Sequence, residues 1–542
     1  MEALLTSSDP PSSPQERRLD ATVAVLLFGF GFALCLHHGR VGLMPLDQSI
    51  VFDGAWRLLC GQVPFRDFAT PAGLVPIALQ ALFFRVFGVS WFAYCLHAAV
   101  FNGLFCVMTF GLLRRLGAGT LAAGYYGLIG GVVFYPPFGV PYMDQHAFFF
   151  SLAVVWAVAE AGAARGGGRS WWPAVLPWLW GAAYLSKPIP TLFFLPLLGL
   201  VPFLVDRSRL RATARPLLAS SATLAAGLAA AVLTVDRGLL VEFLFTRPGR
   251  EGRGRLLAML EPSAFAGQAT ELLRAAELVS LVPTVLGAVA LLVFRPRRDG
   301  ERPGLPSWWR PALALYLLAA CAAFVMVTDN QGENGVPFVF LAAGLVHSEV
   351  MGRSKKPQGW VALVIVSLAA TSAVDAVRFE RGVNETRMVH ELDGVATAAR
   401  VETRALPPAL SFLEWRLHPF YRFSPGDLGA AVSFLRYEEG AIYVFGDLTI
   451  LYALTGRPSA GQTLWLHPGL TLPEPHEAAF ASWEARLLAD LERRQVRFVV
   501  RESRQTYNGL RLSDLPRIAA HIETRRERRL SFGPIDVIEL RP

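Results

Sequence analysis

The fold is decided by the stretch Met44-Pro-Leu-Asp47-Gln-Ser-Ile-Val-Phe-Asp53-Gly-Ala-Trp56-Arg57-Leu-Leu-Cys-Gly61-Gln-Val-Pro64-Phe65-Arg66-Asp67-Phe68-Ala-Thr-Pro71. It follows the first apolar segment and carries charged side chains, which are costly next to a membrane unless they have a purpose. Its apolar residues recur at about helical spacing, so the stretch predicts a short amphipathic helix on the membrane surface, ended by Gly61. Pro64 and Pro71 frame an extended turn around Phe-Arg-Asp-Phe. The plain alternative is a solvated loop with helix caps.

The composition is that of a polytopic membrane protein. Of the 542 residues 53% are hydrophobic and only 17% are charged, whereas soluble domains average about 25% charged. The net charge of +8 indicates basic cytoplasmic loops and not nucleic-acid binding. The five cysteines are scattered and show no metal-binding spacing, so we predict neither a disulfide framework nor a cysteine metal site.

Residues 1–20 are polar and rich in proline, and we predict that they form a disordered cytoplasmic tail. Arg17 and Arg18 precede the first apolar segment, Ala21–Leu36, and should keep the amino terminus inside. The absence of a small-residue cleavage site favours a retained anchor over a cleaved signal peptide.

The apolar segment Ala72–Gly88 decides the topology. If it spans the membrane, the later basic clusters fall on the outer side. If it is an interfacial or re-entrant helix, they all fall inside, as the positive-inside rule requires. We therefore predict that it does not span. These clusters are Arg114/Arg115, Arg165/Arg169, Arg207/Arg209/Arg211/Arg215, Arg295/Arg297/Arg298 and Arg353/Lys355/Lys356.

About eleven spans follow from the ~20-residue criterion, and the odd number puts the carboxyl-terminal end outside. The remaining ten after Ala21–Leu36 are Trp91–Leu113, Leu121–Phe134, Ala147–Ala163, Trp172–Leu185, Ile189–Val205, Leu217–Leu233, Leu278–Phe294, Pro311–Val327, Val336–Val350 and Trp360–Val377.

From about Phe379 the apolar runs shorten to strand length: Ala441–Phe445, Arg497–Val500 and Ile535–Leu540. Ser424 and Pro425 predict the start of a helix through Tyr437, and another helix should run from His476 to Arg494. We predict three parts: a tail (1–20), a helical membrane domain (21–378, with a first outer loop at 38–90 that contains interfacial helices) and an extracytoplasmic α/β domain with one sheet (379–542).

The stretch quoted first resembles a known pattern. An aspartate, an Ala-Trp-Arg-Leu-Leu-x-Gly helix and then Pro-Phe/Tyr-Arg-Asp-Phe are similar to the first extracytoplasmic loop of GT-C glycosyltransferases. That superfamily includes the bacterial aminoarabinose transferase and the protein O-mannosyltransferases. The resemblance implies that Asp47, just after the first membrane helix, is catalytic, and that Asp144 is the second acidic residue, which steers the acceptor or shares a cation.

Under this topology several polar groups reach the same outer face. They are Asp47, Arg66 and Asp67 of the first loop, Tyr142, Asp144 and His146 of the second, Lys187 in a tight hairpin, Arg247, Arg250, Arg253 and Arg255 in one loop, and Glu333 and Asn334 before the tenth span. This set suits glycosyl transfer from an anionic lipid carrier, because a carboxylate can deprotonate an acceptor hydroxyl and positive charge can hold a phosphate leaving group. Lys187 and the arginine loop would hold that phosphate.

Each assignment has a structural alternative. Asp144 can cap the helix that follows it, and His146 can be a packed histidine. Lys187 can snorkel to lipid headgroups, which the arginine loop can also bind. Asp67 can pair with Arg66, and Asp53 is expected to face solvent without a role in the chemistry.

A divalent cation is possible as a cofactor, since carboxylates such as Asp47, Asp144 and Glu333, together with His146, offer oxygen and nitrogen ligands. No dense acidic cluster occurs, and we predict no tightly bound structural metal.

The sequence thus predicts a glycosyltransferase of the bacterial inner membrane that moves a hexosyl or pentosyl group from a polyprenyl-phosphate donor to an envelope lipid, glycan or protein. Two other classes remain: a transporter or flippase for lipid-linked saccharides, and a binding or scaffold protein that keeps the fold without activity. A transporter should carry charges at mid-membrane on broken helices and inverted repeats, whereas here the charges gather at one face.

Overall fold

A computed structural model of the chain describes residues 13–43, 45–136, 138–163, 172–204, 210–258, 261–263, 279–293, 309–328, 336–353, 359–388, 405–415, 423–502 and 510–541. The first part is helical. Its helices are α1 Pro14–Gly39, α2 Pro45–Leu59, α3 Leu74–Phe87, α4 Trp91–Arg115, α5 Thr120–Val133, α6 Met143–Ala163, α7 Trp172–Ser186, α8 Pro188–Leu204, α9 Leu210–Val232, α10 Arg237–Val241, α11 Arg247–Ala258, α12 Leu281–Val293, α13 Trp309–Thr328, α14 Val336–Arg353 and α15 Gly359–Met388.

Every segment predicted to span coincides with a helix in this part of the chain. The prediction for the tail was wrong in its second half, because α1 already begins at Pro14. The Ser13 hydroxyl accepts from the Glu16 N–H and the Glu16 carboxylate accepts from the Ser13 N–H, so a capping box starts the helix here.

Three helices of the described residues are long and apolar enough to cross a membrane: α1, α4 and the part of α9 from Thr213 to Val232. Five further apolar helices are shorter, among them α3 and α5 with 14 residues each. Fourteen residues rise only about 21 Å, less than the ~30 Å hydrocarbon core of a bilayer. The count of eleven spans therefore stays a prediction.

Helices α1 and α4 pack antiparallel at very short range. A Cβ atom on Gly31 would lie 2.5 Å from Cys106 Sγ, and one on Gly103 would lie 2.8 Å from the Phe28 ring. Small residues allow such close packing of helices in a membrane. The Asn102 amide at this contact donates to the carbonyls of Gly31 and Gly131, at 2.8 and 2.9 Å, and so ties α1, α4 and α5 together.

The opposite end of α4 is held by charge. The Arg114 guanidinium lies 2.9 Å from the Asp20 carboxylate and donates to the Ala118 carbonyl, while the Thr120 hydroxyl donates to the other Asp20 oxygen. These contacts join the start of α1 to the end of α4, at the face that the basic clusters predict to be cytoplasmic.

The described residues of the carboxyl-terminal part contain one four-stranded sheet, while a separate extracytoplasmic α/β domain and its boundary stay predictions. Its elements are α16 Pro425–Tyr437, β1 Ala441–Phe445, α17 Leu451–Thr455, α18 Ala478–Arg493, β2 Val496–Glu502, α19 Pro516–Arg525, β3 Arg526–Phe532 and β4 Ile535–Leu540. The predicted cap is present, since Ser424 accepts from the Asp427 N–H and Pro425 follows it. Strand β3 was missed because its Arg-Glu-Arg-Arg start is exposed and shows no apolar alternation.

The strand order is β1-β2-β4-β3, with β1 and β2 parallel and the other two pairs antiparallel. The alternation of a strand sends neighbouring residues to opposite faces. Tyr443 and Val499 pack against α18 and α19 on one face, while Val444 and Val500 belong to a second apolar cluster on the other face.

That second cluster contains much of the first loop, which corrects the prediction for α2. Residues 48–55 are all buried, and Val51 and Phe52 share the cluster with Phe84 of α3 and Tyr452 of α17. The apolar residues of α2 thus pack on protein from two sides, so the helix does not present one free apolar face to a membrane surface.

The topology can be tested by cysteine labelling, because Cys60 is exposed and the other four cysteines are buried. We expect a membrane-impermeant maleimide to label Cys60 in intact spheroplasts. In a Cys60→Ser background, Tyr437→Cys should be labelled from outside, since Tyr437 is 90% exposed, and Arg17→Cys only after permeabilisation, because basic residues stay inside. Labelling in the reverse pattern would contradict the orientation.

Candidate functional site

The structure places the backbone of Asp47 in the first turn of α2. The next residue ties this turn to its surroundings: the Gln48 amide donates to the Phe138 carbonyl at 3.3 Å, and the Tyr94 hydroxyl donates to the Gln48 carbonyl at 2.8 Å. The start of α2 is therefore held against the second loop and the start of α4. The backbone of the first predicted catalytic residue therefore lies close to the loop that leads to Asp144.

Asp53 does not face solvent as expected. It is fully buried, and its Oδ2 accepts from Arg57 Nε at 2.9 Å. Burial raises the pKa of Asp53 to about 6, although the charge and hydrogen bond of Arg57 act to lower it. Its four-residue spacing from Arg57 is a helical ion-pair signal, which the sequence interpretation missed.

The Phe-Arg-Asp-Phe turn is held by its own charges. Asp67 accepts from the Val63 N–H at 2.7 Å and from the Arg66 guanidinium at 2.7 Å. The ion pair of Asp67 with Arg66 is the structural alternative that the sequence left open. The Arg66 side chain is 54% exposed, which leaves part of its guanidinium open to solvent.

The buried Asp144 forms an ion pair with the half-buried Lys187. Lys187 Nζ lies 2.8 and 2.9 Å from the two carboxylate oxygens of Asp144, which is 1% exposed. Lys187 sits between α7 and α8, and its ammonium also lies 6.0 Å from the centre of the Phe324 ring. An ammonium has three N–H donors, so one remains for a further acceptor.

His146 lies in a closed network inside the bundle. Its Nδ1 is 2.5 Å from the Tyr135 hydroxyl and 3.0 Å from the Tyr142 carbonyl, and its Nε2 is 3.0 Å from His97 Nε2. His97 continues the network to Gln80 at 2.9 Å. Both ring nitrogens of His146 are engaged, which is the geometry of the packed histidine. The Tyr142 ring is buried and stacks on Phe138.

The predicted arginine loop is helical. A π-helical turn, Glu242–Thr246, leads into α11, which begins at Arg247. Arg247 Nε donates to the Glu242 carboxylate at 2.9 Å, and its guanidinium carbon lies 4.7 Å from the centre of the Phe243 ring. Arg247 is 6% exposed, and its buried Nη1 has no hydrogen-bond partner among the described residues.

Arg250, one turn further along α11, behaves differently. Its side chain is 67% exposed and pairs with Glu477 of the carboxyl-terminal part at 3.0 Å. Of the four arginines predicted to hold phosphate, Arg247 is enclosed and Arg250 and Arg253 are exposed, while the Arg255 side chain lies outside the described residues.

Backbone contacts bring the loops together. The Gly73 N–H donates to the Ser186 carbonyl, next to Lys187, at 2.8 Å. A Cβ atom on Gly73 would lie 3.1 Å from the Met143 side chain, next to Asp144. The Asp236 N–H, before α10, donates to the Phe65 carbonyl at 2.9 Å. The first loop therefore touches the segments that carry Asp144, Lys187 and the turn before Arg247.

Glu333 and Asn334 lie outside the described residues. Within the described ranges, no group of three or more His, Cys, Asp or Glu side chains is arranged to hold a metal ion.

Comparison with known proteins finds overall likenesses among solved structures. The chain is similar to ArnT from Cupriavidus metallidurans bound to undecaprenyl phosphate, with 13% identity, 97% of this chain and 98% of that chain covered, and a TM-score of 0.49. It is similar to the apo oligosaccharyltransferase of Archaeoglobus fulgidus, with 13% identity, coverage of 91% and 70%, and a TM-score of 0.49.

A third similar structure is the arabinofuranosyltransferase AftD from Mycobacteria, with 12% identity, coverage of 99% and 40%, and a TM-score of 0.47. All three are GT-C glycosyltransferases, the superfamily that the first-loop motif resembles. No protein-family model and no curated protein matches the chain. The function proposed below rests on this chain's own residues.

Two residues of the site were missed from the sequence. Glu242, the partner of Arg247, lies five residues before it, outside the three- or four-residue spacing of an α-helix. Only the π-helical turn brings the pair together. The contact of His97 with His146 joins two helices and had no signal in the local sequence.

The contribution of the Asp144–Lys187 pair to the free energy of unfolding can be tested. Lys187→Met leaves a carboxylate buried without its partner, and we expect a loss of about 3–5 kcal/mol, visible as a lower thermal midpoint in detergent. Adding Asp144→Asn removes the buried charge and should recover most of the loss. No recovery in the double variant would mean that Lys187 stabilises the fold through contacts other than Asp144.

Proposed function

We propose that the chain is a membrane glycosyltransferase that transfers a sugar from a polyprenyl-phosphate-linked donor to an acceptor hydroxyl on the outer face of the bacterial inner membrane. The observation that carries the proposal is the convergence of four groups from separate segments. The first loop, which bears Asp47, contacts the second outer loop at Phe138, the residues next to Asp144 and Lys187, and the segment before Arg247.

Asp47 is the general base of this proposal. Its carboxylate takes the proton of the acceptor hydroxyl as the acceptor oxygen attacks the anomeric carbon. The bond from that carbon to the phosphate oxygen breaks, and the carrier leaves as polyprenyl phosphate. A single displacement of this kind inverts the configuration at the anomeric carbon.

The leaving phosphate needs fixed positive charge as the bond breaks. Lys187 has one N–H donor beyond the two that meet Asp144. Arg247 offers its buried Nη1, while Glu242 holds the other side of the guanidinium. A guanidinium fixed in this way can donate a hydrogen bond to a phosphate oxygen without reorientation. Arg66, partly exposed in the first loop, is a third donor.

Asp144 has a supporting role in this scheme. Its two oxygens hold the Lys187 ammonium in one place, so the carboxylate orients the group that would meet the phosphate. The resemblance implies one of two further roles for Asp144, either steering the acceptor or sharing a divalent cation. The acceptor is an envelope lipid, glycan or protein, and the carboxyl-terminal α/β part lies on the outer side.

The base assignment is tested by Asp47→Asn. The substitution keeps the size of the side chain but removes its proton affinity, so transfer should fall at least ~10²-fold while the donor KM stays near the wild-type value. The assay uses purified protein in detergent with a synthetic polyprenyl-phosphate sugar, and thermal unfolding checks that the variant is folded.

The control needs an Asp-to-Asn change at an exposed position. Asp53, on the same helix as Asp47, is unsuitable because it is buried against Arg57. Asp514→Asn makes the same chemical change at an exposed turn of the carboxyl-terminal part and should keep full activity. Full transfer by Asp47→Asn would exclude Asp47 as the base and make Asp144 the candidate.

The phosphate assignment is tested by a matched pair on α11. Arg247→Lys keeps a positive charge beside Glu242 but loses the planar guanidinium and its buried N–H. We expect the donor KM to rise about tenfold or more, corresponding to a charge-assisted hydrogen bond of about 1.5–3 kcal/mol.

Arg250→Lys makes the same change one turn along on an exposed side chain, and its donor KM should stay within about twofold of wild type, as for a surface pair. Equal effects of the two substitutions would argue against a specific contact of Arg247 with the donor phosphate.

A further inference from the structure

An arginine of the first loop is at the centre of its contact with the carboxyl-terminal part. Arg57, at the end of α2, is fully buried. Its Nη1 donates to the Gly461 carbonyl at 2.6 Å and its Nη2 to the Thr463 carbonyl at 3.1 Å, while its Nε donates to Asp53. One side chain thus donates hydrogen bonds to three acceptors in two distant parts of the chain.

Two more first-loop side chains contact the same segment. Trp56 Nε1 donates to the Arg457 carbonyl at 2.9 Å, and Gln62 Nε2 donates to the Ser459 carbonyl at 2.9 Å. With Arg57, the side chains of the loop therefore meet the carbonyls of residues 457, 459, 461 and 463. This period of two is that of an extended chain, whose alternate groups point the same way.

The reverse face of that segment is also paired, since the Ala69 N–H donates to the Gln462 carbonyl at 2.8 Å. The contact of the first loop with residues 457–463 is therefore continuous.

Arginine is required at position 57 by geometry. A planar guanidinium can reach two carbonyls and a carboxylate at once, whereas an ammonium is a point charge on a flexible stem. The guanidinium carbon also lies 5.2 Å from the centre of the Phe68 ring and 5.9 Å from that of Tyr452. Cation–π contact with the turn and with α17 adds to the fixation.

Arg57 acts at the opposite end of α2 from Asp47. Ten residues of helix separate them, about 15 Å, so Arg57 does not reach the reacting atoms. A helix is stiff, however, and its start moves when its other end is released. The carboxyl-terminal part thus forms one side of the surface against which α2 packs.

We propose that Arg57 is a positioning residue that fixes α2, and with it Asp47, against residues 457–463. The carboxyl-terminal part is then a structural component of the transfer site and not an appended domain. The inference rests on the proposed function for its catalytic consequence, while the tie itself is independent of that function.

The test uses Arg57→Lys in the purified full-length protein, with two readouts. Hydrogen exchange should accelerate both in residues 45–59 and in residues 457–463. In the assay with a synthetic polyprenyl-phosphate sugar, kcat should fall about tenfold or more with the donor KM within about twofold, because the base is displaced while the phosphate contacts remain.

Two further variants sharpen the result. Trp56→Phe removes a single N–H donor of the same interface and should lower kcat by a smaller factor, about two- to fivefold. Arg497→Lys is the control, because Arg497 also joins a carboxylate, Glu539, and a carbonyl, that of Glu439, but entirely within the carboxyl-terminal part. It should leave kcat unchanged.

The outcomes are distinct. Wild-type exchange in both segments of Arg57→Lys overturns the tie. Faster exchange with unchanged kcat overturns the positioning role, and a raised donor KM at unchanged kcat makes Arg57 a donor contact instead. An Arg497→Lys loss equal to that of Arg57→Lys reduces the effect to general destabilisation and also overturns the role. If the wild-type protein transfers no sugar, the proposed function fails and the positioning role falls with it, while the exchange data still decide the tie.

Discussion

The enclosure of the first loop is the constraint on which the structure depends. Residues 48–55 of the loop are buried between the helical bundle and the carboxyl-terminal part, so their polar groups lose contact with water, and each lost hydrogen bond is costly. The bundle supplies Tyr94 and the Phe138 carbonyl at one end of α2. The carboxyl-terminal part supplies the carbonyls of Gly461 and Thr463 at the other. A segment that would be a flexible loop in isolation is thereby given one position.

The buried carboxylates of Asp53 and Asp144 also have partners. Asp53 pairs with Arg57, and Asp144 pairs with Lys187. Such pairs are weak evidence for stability, since removing both charges is often neutral, but removal of one partner is severe. Their value here is geometric. The Asp53–Arg57 pair fixes the helix that bears the proposed base. The Asp144–Lys187 pair fixes the ammonium proposed to bind the phosphate.

The helices and strands were predictable from the sequence because they depend on local signals. Apolar runs predicted the apolar helices α1, α4–α9 and α12–α15, although not α10 or α11, and Ser424 with Pro425 predicted the start of α16. Strand β3 escaped because its exposed arginines interact with Glu539 and Asp536 across the sheet, which is a contact between distant residues. The predicted arginine loop is a helix because a π-helical turn pairs Glu242 with Arg247, and no local rule anticipates that turn.

The sequence by itself led to the prediction of which residues carry chemistry: the motif around Asp47, the isolated Asp144 and Lys187, and the arginines that follow Thr246. It could do so because charged side chains in an apolar chain are costly and therefore conspicuous. Only the tertiary structure decided which of them are enclosed and with what partners. It turned Asp53 from a solvent-facing residue into a buried ion pair, and it gave His146 the contacts of the packed histidine that the sequence had left as an alternative. It also joined Arg57 to carbonyls four hundred residues away. Backbone carbonyls are the same at every position, so their role as partners is set by the fold and leaves no trace in the sequence.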